Sequence, residues 1–135
     1  LENVAMELMS VFEVKSAPVP IEIILQNPKE DMWDKVDVTQ LSGSFISLRS
    51  QYSPRMSIAR LLARHLASCP WGRERRLFEI LREGDNINTF ARMLIMPRNL
   101  VQQVDTAART PTTMSFQFEV PEDDIRLRLD EVFGS

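Results

Sequence analysis

Residues 55–68 carry the sequence Arg-Met-Ser-Ile-Ala-Arg-Leu-Leu-Ala-Arg-His-Leu-Ala-Ser, in which the apolar residues return every three or four positions. This period places them on one face of an amphipathic helix. The face comprises Ile58, Leu61, Leu62, His65, Leu66 and Cys69. We therefore predict a helix that runs to about Ser68 and buries this face in the core.

Several other segments show a helical period or a favourable helix start. Proline suits the first turn of a helix, and the residue before a proline is pushed out of the helical region. Asp85 is a favourable N-cap residue for the helix that follows it. Helices are predicted at residues 1–14, 21–26, 73–82 and 85–96, with two more that start at Pro97 and Pro121.

One segment has the composition of a β-strand. Gly43 to Arg49 reads Gly-Ser-Phe-Ile-Ser-Leu-Arg, in which β-favouring residues follow a glycine. The preceding stretch 29–40 is polar and predicts a loop or a weak edge strand. Together these patterns predict the α+β class, a mostly helical domain with a small antiparallel sheet near residues 31–49.

The composition limits the classes of function. With 135 residues, 44% hydrophobic and 26% charged, the chain fits one ordinary globular domain. The net charge is −3, so we expect no broad basic surface for nucleic acid or anionic lipid. No uncharged apolar run is long enough to span a bilayer. We expect a cytoplasmic protein that makes no membrane contact.

The chain has a single histidine, His65, and a single cysteine, Cys69. One cysteine excludes an internal disulfide and fits a reducing compartment. The two residues are four positions apart on the predicted helix and could supply two ligands to a metal, whereas a zinc site needs three or four. The simpler interpretation is that His65 is a partly buried core residue.

Residues 85–97 read Asp-Asn-Ile-Asn-Thr-Phe-Ala-Arg-Met-Leu-Ile-Met-Pro. This segment resembles a signature of the ImmA/IrrE family of bacterial and phage metallo-endopeptidases, which typically reads (E)-A-N-x-F-A-x-x-L-L-M-P. The matching letters are Asn88, Phe90, Ala91, Leu94, Met96 and Pro97.

Weaker likenesses to the same family follow in the same order elsewhere in the chain. They lie at residues 18–24, 41–45 and 120–129, so the resemblance spans most of the sequence. It implies a single zincin-like minimal domain over residues 1–135, with a helix–turn–helix-like part at residues 110–133.

The active helix of that family usually reads R-F-T-L-A-H-E-L-G-H and aligns without gaps on residues 55–64. Several scaffold letters are kept, but the two zinc-binding histidines fall on Arg60 and Arg64, and the catalytic glutamate falls on Leu61. The resemblance also implies a third metal ligand, an acid on a later helix. The nearest positions are Asn86, which would be a poor zinc ligand, Asp85 and Glu83, and the alignment does not decide among them.

These substitutions remove the chemistry of the H-E-x-x-H helix. Arginine cannot lose its proton in a protein and cannot bind Zn²⁺. Leucine cannot take a proton from a metal-bound water, which is the role of the glutamate. We therefore expect no catalytic residue, no metal and no cofactor at this site. Arg60, Arg64 or both are expected to form a charge-assisted ion pair there, unless both are solvated; the candidate partners are Glu79, Glu83 and Asp85.

The segment Met114 to Val120 reads Met-Ser-Phe-Gln-Phe-Glu-Val and allows two interpretations. Its strict alternation predicts a strand, whereas the family resemblance implies a helix at residues 112–118, which we favour. A recognition helix after it would begin with Glu122, Asp123 and Asp124. Phosphates repel these carboxylates, so direct binding of nucleic acid is not expected.

The resemblance implies a catalytically inactive pseudo-peptidase that binds a protein or peptide partner. Family members often act on phage-type or stress-response repressors of the helix–turn–helix kind, which makes such a repressor the expected partner. The former substrate groove would present Arg60, Arg64 and a strand edge near residues 45–48. Two alternatives stay open: an active metallopeptidase with a site rebuilt from His65, Cys69 and an acid, and a structural segment of a larger complex.

Overall fold

The computed structural model describes residues 1–36 and 52–134. Within these ranges the chain forms nine α-helices and one 3₁₀ turn, Thr106–Ala108. The helices are α1 (Glu2–Val11), α2 (Ile21–Gln26), α3 (Ser53–Ser68), α4 (Pro70–Glu74), α5 (Leu77–Leu81), α6 (Asn86–Ile95), α7 (Arg98–Gln102), α8 (Pro111–Phe118) and α9 (Glu122–Phe133). No helix in the described ranges combines the length and the apolar character needed to cross a membrane.

The predicted α+β class is wrong, because the two described ranges contain helices and no β-strand. Residues 31–36 form a turn and irregular chain that contacts helices instead of another strand. The indole Nε1 of buried Trp33 donates to the Leu25 carbonyl at 2.8 Å, and the Asp31 carbonyl accepts from the Trp71 amide at 2.9 Å. The rest of the predicted sheet, including Gly43 to Arg49, lies outside the described residues.

The alternating segment near residue 116 is helical, so the helix predicted there is confirmed and the strand reading is wrong. Met114 and Phe118 are buried four positions apart on α8, whereas the Phe116 side chain is 80% exposed. The Thr110 hydroxyl caps the helix by accepting from the Thr113 amide at 3.3 Å. Glu119, with a φ of 58°, ends it. The alternation therefore reflects an exposed aromatic residue rather than a strand.

The predicted helix over residues 73–82 is divided into the short helices α4 and α5. Arg76 adopts a left-handed conformation with a φ of 64°, which interrupts the helix. Gly72 lies inside α4, and a Cβ atom at this position would stand 1.6 Å from the Leu66 carbonyl oxygen. Glycine thus permits α4 to pack tightly against the end of α3.

The hydrophobic core is centred on α3 and α6, which form the most extensive helix–helix contact in the described structure. Helix α1 packs on α6 and α7, and helix α2 packs on α3. Helix α9 packs on α6, α7 and α8. The core face of α3 comprises Met56, Ile58, Ala59, Leu62, Ala63 and Leu66. The core face of α6 comprises Phe90, Ala91, Leu94 and Ile95. The helical period therefore correctly predicted that Ile58, Leu62 and Leu66 of α3 are buried, whereas Leu61 and His65 of the predicted face are only partly buried.

A fully buried arginine, Arg128, connects the first and last helices. Its Nη1 and Nη2 atoms donate to the two carboxylate oxygens of Glu2 at 2.7 and 2.6 Å. Its Nε donates to the Met96 carbonyl at 2.8 Å, and Glu131 lies 3.4 Å from Nη1. Glu131 in turn accepts from buried Arg92 at 2.7 Å. The two arginines are buried, and each is paired with a carboxylate that is itself only partly exposed, which is the condition under which a folded protein tolerates buried charges.

A second structural arginine, Arg55, joins three parts of the chain at the start of α3. Its Nη1 donates to both carboxylate oxygens of Glu22 on α2, at 3.0 and 2.9 Å. Its remaining nitrogens donate to the carbonyls of Val19 at 2.7 Å and Glu119 at 3.0 Å. The guanidinium therefore satisfies backbone oxygens at the ends of neighbouring elements as well as forming an ion pair.

Candidate functional site

Arg60, Leu61 and Arg64, which the resemblance aligns with metal and catalytic positions of the ImmA/IrrE family, all lie on α3. Arg60 is half-buried and its Nη2 donates to the Ser57 hydroxyl at 3.1 Å. Arg64 is exposed, and Leu61 is partly buried against the core. Arg60 and Arg64 are four positions apart and so start from the same face of the helix, although only Arg64 is exposed.

The acids that were predicted to pair with these arginines make other contacts. Glu79 lies 3.7 Å from Arg76, and the Asp85 carboxylate accepts from the Asn88 side chain at 2.6 Å. Glu83 is exposed, and its backbone carbonyl accepts from the Asn86 amide at 3.2 Å. Among residues 1–36 and 52–134, no ion pair joins any of these acids to Arg60 or Arg64.

The positive charge of Arg60 affects the pKa of the Asp124 carboxylate, which lies in the first turn of α9. Burial raises the pKa of Asp124, and the nearby positive charges of Arg92 and Arg60 act in the opposite direction. The sequence identifies Asp124 only as an acidic residue near the start of a helix. Because Asp124 and Arg60 are far apart in the sequence, no local pattern could predict their proximity.

Asn86, the position nearest to the family's third metal ligand, has a structural role. Its Nδ2 donates to the Ile80 carbonyl at 2.8 Å and so connects the end of α5 to the start of α6. Asp85 occupies the N-cap position of α6, as predicted, but its side chain makes no capping hydrogen bond. Neither side chain is arranged as a ligand beside Arg60 and Arg64.

The donor set on α3 does not fit a zinc ion. Two permanent cations stand where two neutral imidazoles would have to bind the ion, and a leucine stands where the proton-accepting glutamate would be. In the part of the chain that the structure describes, no group of three or more His, Cys, Asp or Glu side chains is placed to hold a metal. No catalytic step through a metal is therefore derived for this helix.

His65 and Cys69, the alternative metal pair, line a cavity of about 350 Å³ at the end of α3. The cavity is also lined by Met32, Trp33, Asp34, Ser68 and Pro70. Cys69 has left the helix in an extended conformation, and its buried thiol donates to the Leu66 carbonyl at 3.3 Å. Burial lowers the pKa of His65, which keeps the imidazole neutral at pH 7. No local pattern in the sequence places Asp34 or Trp33 beside this pair, because both residues precede α3 by many positions.

Comparisons with protein-family models, with curated proteins and with solved structures find no match to this chain. Support for a function must therefore come from the residues themselves and from their geometry.

Proposed function

We propose that this chain is a degenerate ImmA/IrrE-type domain that has lost metallopeptidase activity and acts as a regulatory module that binds a protein or peptide. The observation that carries the proposal is the pair of arginines, Arg60 and Arg64, at the family's two zinc-ligand positions. They lie on the helix that packs against α6, where the family-like signature resides.

The buried side of α6 supports the use of this signature as a scaffold. Phe90, Ala91, Leu94 and Met96 are inaccessible to solvent, so the matching letters form core contacts with neighbouring helices. The polar side of α3 carries the substitutions that remove metal binding. A domain of this kind keeps its packing and loses its chemistry.

The resemblance supplies the expected partner, a repressor of the helix–turn–helix kind in the cytoplasm of a bacterium or phage host. Direct binding of nucleic acid is not part of the proposal. The first turn of α9 carries Glu122, Asp123 and Asp124, which would repel phosphates from the start of that helix.

Metal analysis and peptide hydrolysis test the loss of activity. After equilibration with zinc and dialysis, we expect the wild-type protein to retain less than one zinc per chain and to cleave neither the partner nor an unstructured peptide. Stoichiometric zinc that is lost in His65→Ala, but kept in the cavity control Ser68→Ala, would contradict this result. It would support the rebuilt metallopeptidase instead, although His65, Cys69 and Asp34 line one cavity without being placed as a metal-binding group.

The binding activity needs a separate measurement. Affinity purification from the source cells should recover a helix–turn–helix protein, identified by mass spectrometry, with the wild-type chain. Arg60→Glu/Arg64→Glu should lose it, whereas Arg109→Glu/Arg126→Glu should keep it, although both double variants change the net charge equally. Equal recovery by both variants would show that the α3 arginines do not form the binding surface.

A further inference from the structure

The arginines of the described structure fall into two groups. Most lie within ion-pair distance of a carboxylate, as Arg55, Arg92 and Arg128 do. Those that make no ion pair within the described ranges are Arg60, Arg64, Arg73, Arg82 and Arg109. Four of these five lie between residues 60 and 82, on α3 and the short helices that follow it.

We call these four arginines, Arg60, Arg64, Arg73 and Arg82, the arginine stripe. Arg60 and Arg64 are four positions apart on α3. The Ser68 hydroxyl donates to the Arg64 carbonyl at 3.2 Å, and Arg73 Nε donates to the Ser68 carbonyl at 3.2 Å, which places Arg73 beside the end of α3. Arg73 and Arg82 both lie near the Phe78 ring, and Asp124 is close enough to Arg60 for the two charges to interact.

An exposed aromatic ring lies within the stripe. The Phe78 side chain is 36% exposed, and the guanidinium carbons of Arg73 and Arg82 lie 4.8 and 5.5 Å from its ring centroid. A cation held over an aromatic face is restricted in its motion without being neutralised. The surface therefore combines oriented positive charge with an apolar contact.

The acids in the same segment do not cancel this charge. Glu74 lies 3.8 Å from Arg75, and Glu79 lies 3.7 Å from Arg76. These two carboxylates are therefore associated with arginines that are not in the stripe. Arg64, Arg73 and Arg82 are exposed and keep donors available for an external acceptor, whereas half-buried Arg60 interacts with the Asp124 charge.

We propose that the arginine stripe binds an acidic segment of a partner protein, with an apolar side chain of that segment placed against Phe78. This inference rests on the proposed function and specifies the chemistry of its partner. Opposite charges across an interface raise the association rate and select the partner. A protein segment fits better than a nucleic acid, because the whole chain carries a net charge of −3 and would repel a long polyphosphate.

A labelled peptide can test the charge requirement. The probe is a short fluorescein peptide in which Glu and Asp alternate with Leu and Phe, and its match has Gln and Asn in place of the acids. Fluorescence anisotropy at low salt should show that the wild-type chain binds the acidic peptide and not the neutral one. Arg73→Gln/Arg82→Gln should weaken binding roughly tenfold, as two partly screened charge pairs are lost.

Two matched controls separate the stripe from general charge effects. Arg109→Gln/Arg126→Gln removes the same two positive charges elsewhere and should leave the affinity within about twofold. Phe78→Ala should weaken binding, whereas Phe133→Ala should not. Phe133 is a fair control because it is also partly exposed and has the Arg109 guanidinium 4.3 Å from its ring centroid. Circular dichroism of every variant checks that the helices are retained.

The outcomes distinguish this proposal from the one on which it rests. Absence of wild-type binding, or equal weakening by both double variants, would overturn the stripe as an acidic-peptide site. Tighter binding of single-stranded oligodeoxythymidylate that depends on Arg73 and Arg82 would overturn it in favour of nucleic acid. Stoichiometric zinc with peptide cleavage would instead overturn the proposed function, whatever the peptide probe shows.

Discussion

Arg128 and Arg82 carry the same side chain in opposite surroundings. Arg128 is fully buried and donates to both oxygens of Glu2 and to the Met96 carbonyl. Arg82 is exposed, stands beside the Phe78 ring and makes no ion pair with any carboxylate that the structure describes. A buried charge without a partner is costly, whereas an exposed charge can remain available. The difference assigns the first arginine to stability and the second to recognition.

The largest effect in this comparison is expected at Arg128. Arg128→Met would leave the Glu2 and Glu131 carboxylates without their shared cation in a mostly buried site. Breaking a buried pair by removing one partner costs about 3–5 kcal/mol in unfolding free energy. Urea denaturation of the variant measures this loss.

Arg126→Met is the matched control for that substitution, because it lies two residues away on the same helix. Arg126 is exposed, and within residues 1–36 and 52–134 it pairs only with Asp123 and Glu122 in the first turn of α9. The control should change the free energy by less than about 0.5 kcal/mol. Similar losses in the two variants would show that burial does not distinguish these arginines.

A smaller effect, which depends on pH, is expected at His65. Burial lowers the pKa of His65 in the folded protein below the unfolded value of 6.5. Between these two values the unfolded chain binds more protons than the folded protein. The free energy of unfolding therefore increases as pH rises to about 6.5, and it decreases as pH is lowered and the buried imidazole is forced to protonate. Urea midpoints across this range should show the slope in wild type and a smaller slope in His65→Gln.

Because the chain has no other histidine, this substitution isolates one titration. Asp124 contributes with the opposite sign, since burial raises its pKa and its contribution decreases as pH rises through the folded value. Its window begins at the ordinary value for aspartate, 3.8, and extends upward to the raised folded value. An unchanged slope near pH 6 in His65→Gln would contradict the burial of this imidazole.

The smallest effect on stability is expected in the arginine stripe. Arg64→Gln/Arg82→Gln removes two exposed charges that have no carboxylate partner in the described ranges. Surface substitutions of this kind change the unfolding free energy by less than about 0.5 kcal/mol. Thermal unfolding followed by circular dichroism provides the measurement. A large loss of stability would mean that the stripe belongs to the scaffold and is not an available surface.

Local signals predicted the helices well where they were strong. Proline and apolar spacing predicted α2 with its observed bounds, and the helical period correctly predicted that Ile58, Leu62 and Leu66 of α3 are buried. The signals failed where the backbone was decided by tertiary contacts. The left-handed conformation of Arg76 has no sequence signature, so the division between α4 and α5 was missed. The exposed Phe116 created an alternation that imitated a strand.

The charged contacts could not be predicted from local patterns. The sequence suggested that Arg60 or Arg64 would pair with an acid at residues 79–85. The carboxylate that interacts with the charge of Arg60 is instead Asp124 on α9. The buried face of α9 contains the fully buried Arg128 beside Ile125 and Val132, and Phe133 on the same helix is partly exposed. Arginine is rarely fully buried, and a partner as distant in sequence as Glu2 gives no local sign.

The contact between Glu2 and Arg128 joins residues separated by 126 positions. When a ribosome makes the chain, α1 leaves the exit tunnel long before its cation has been translated. Closing so large a loop is entropically costly and requires the intervening helices to have gathered first. The contact can therefore form only after α9 has been made, and a nascent chain that stops short of α9 leaves the Glu2 carboxylate without this cation.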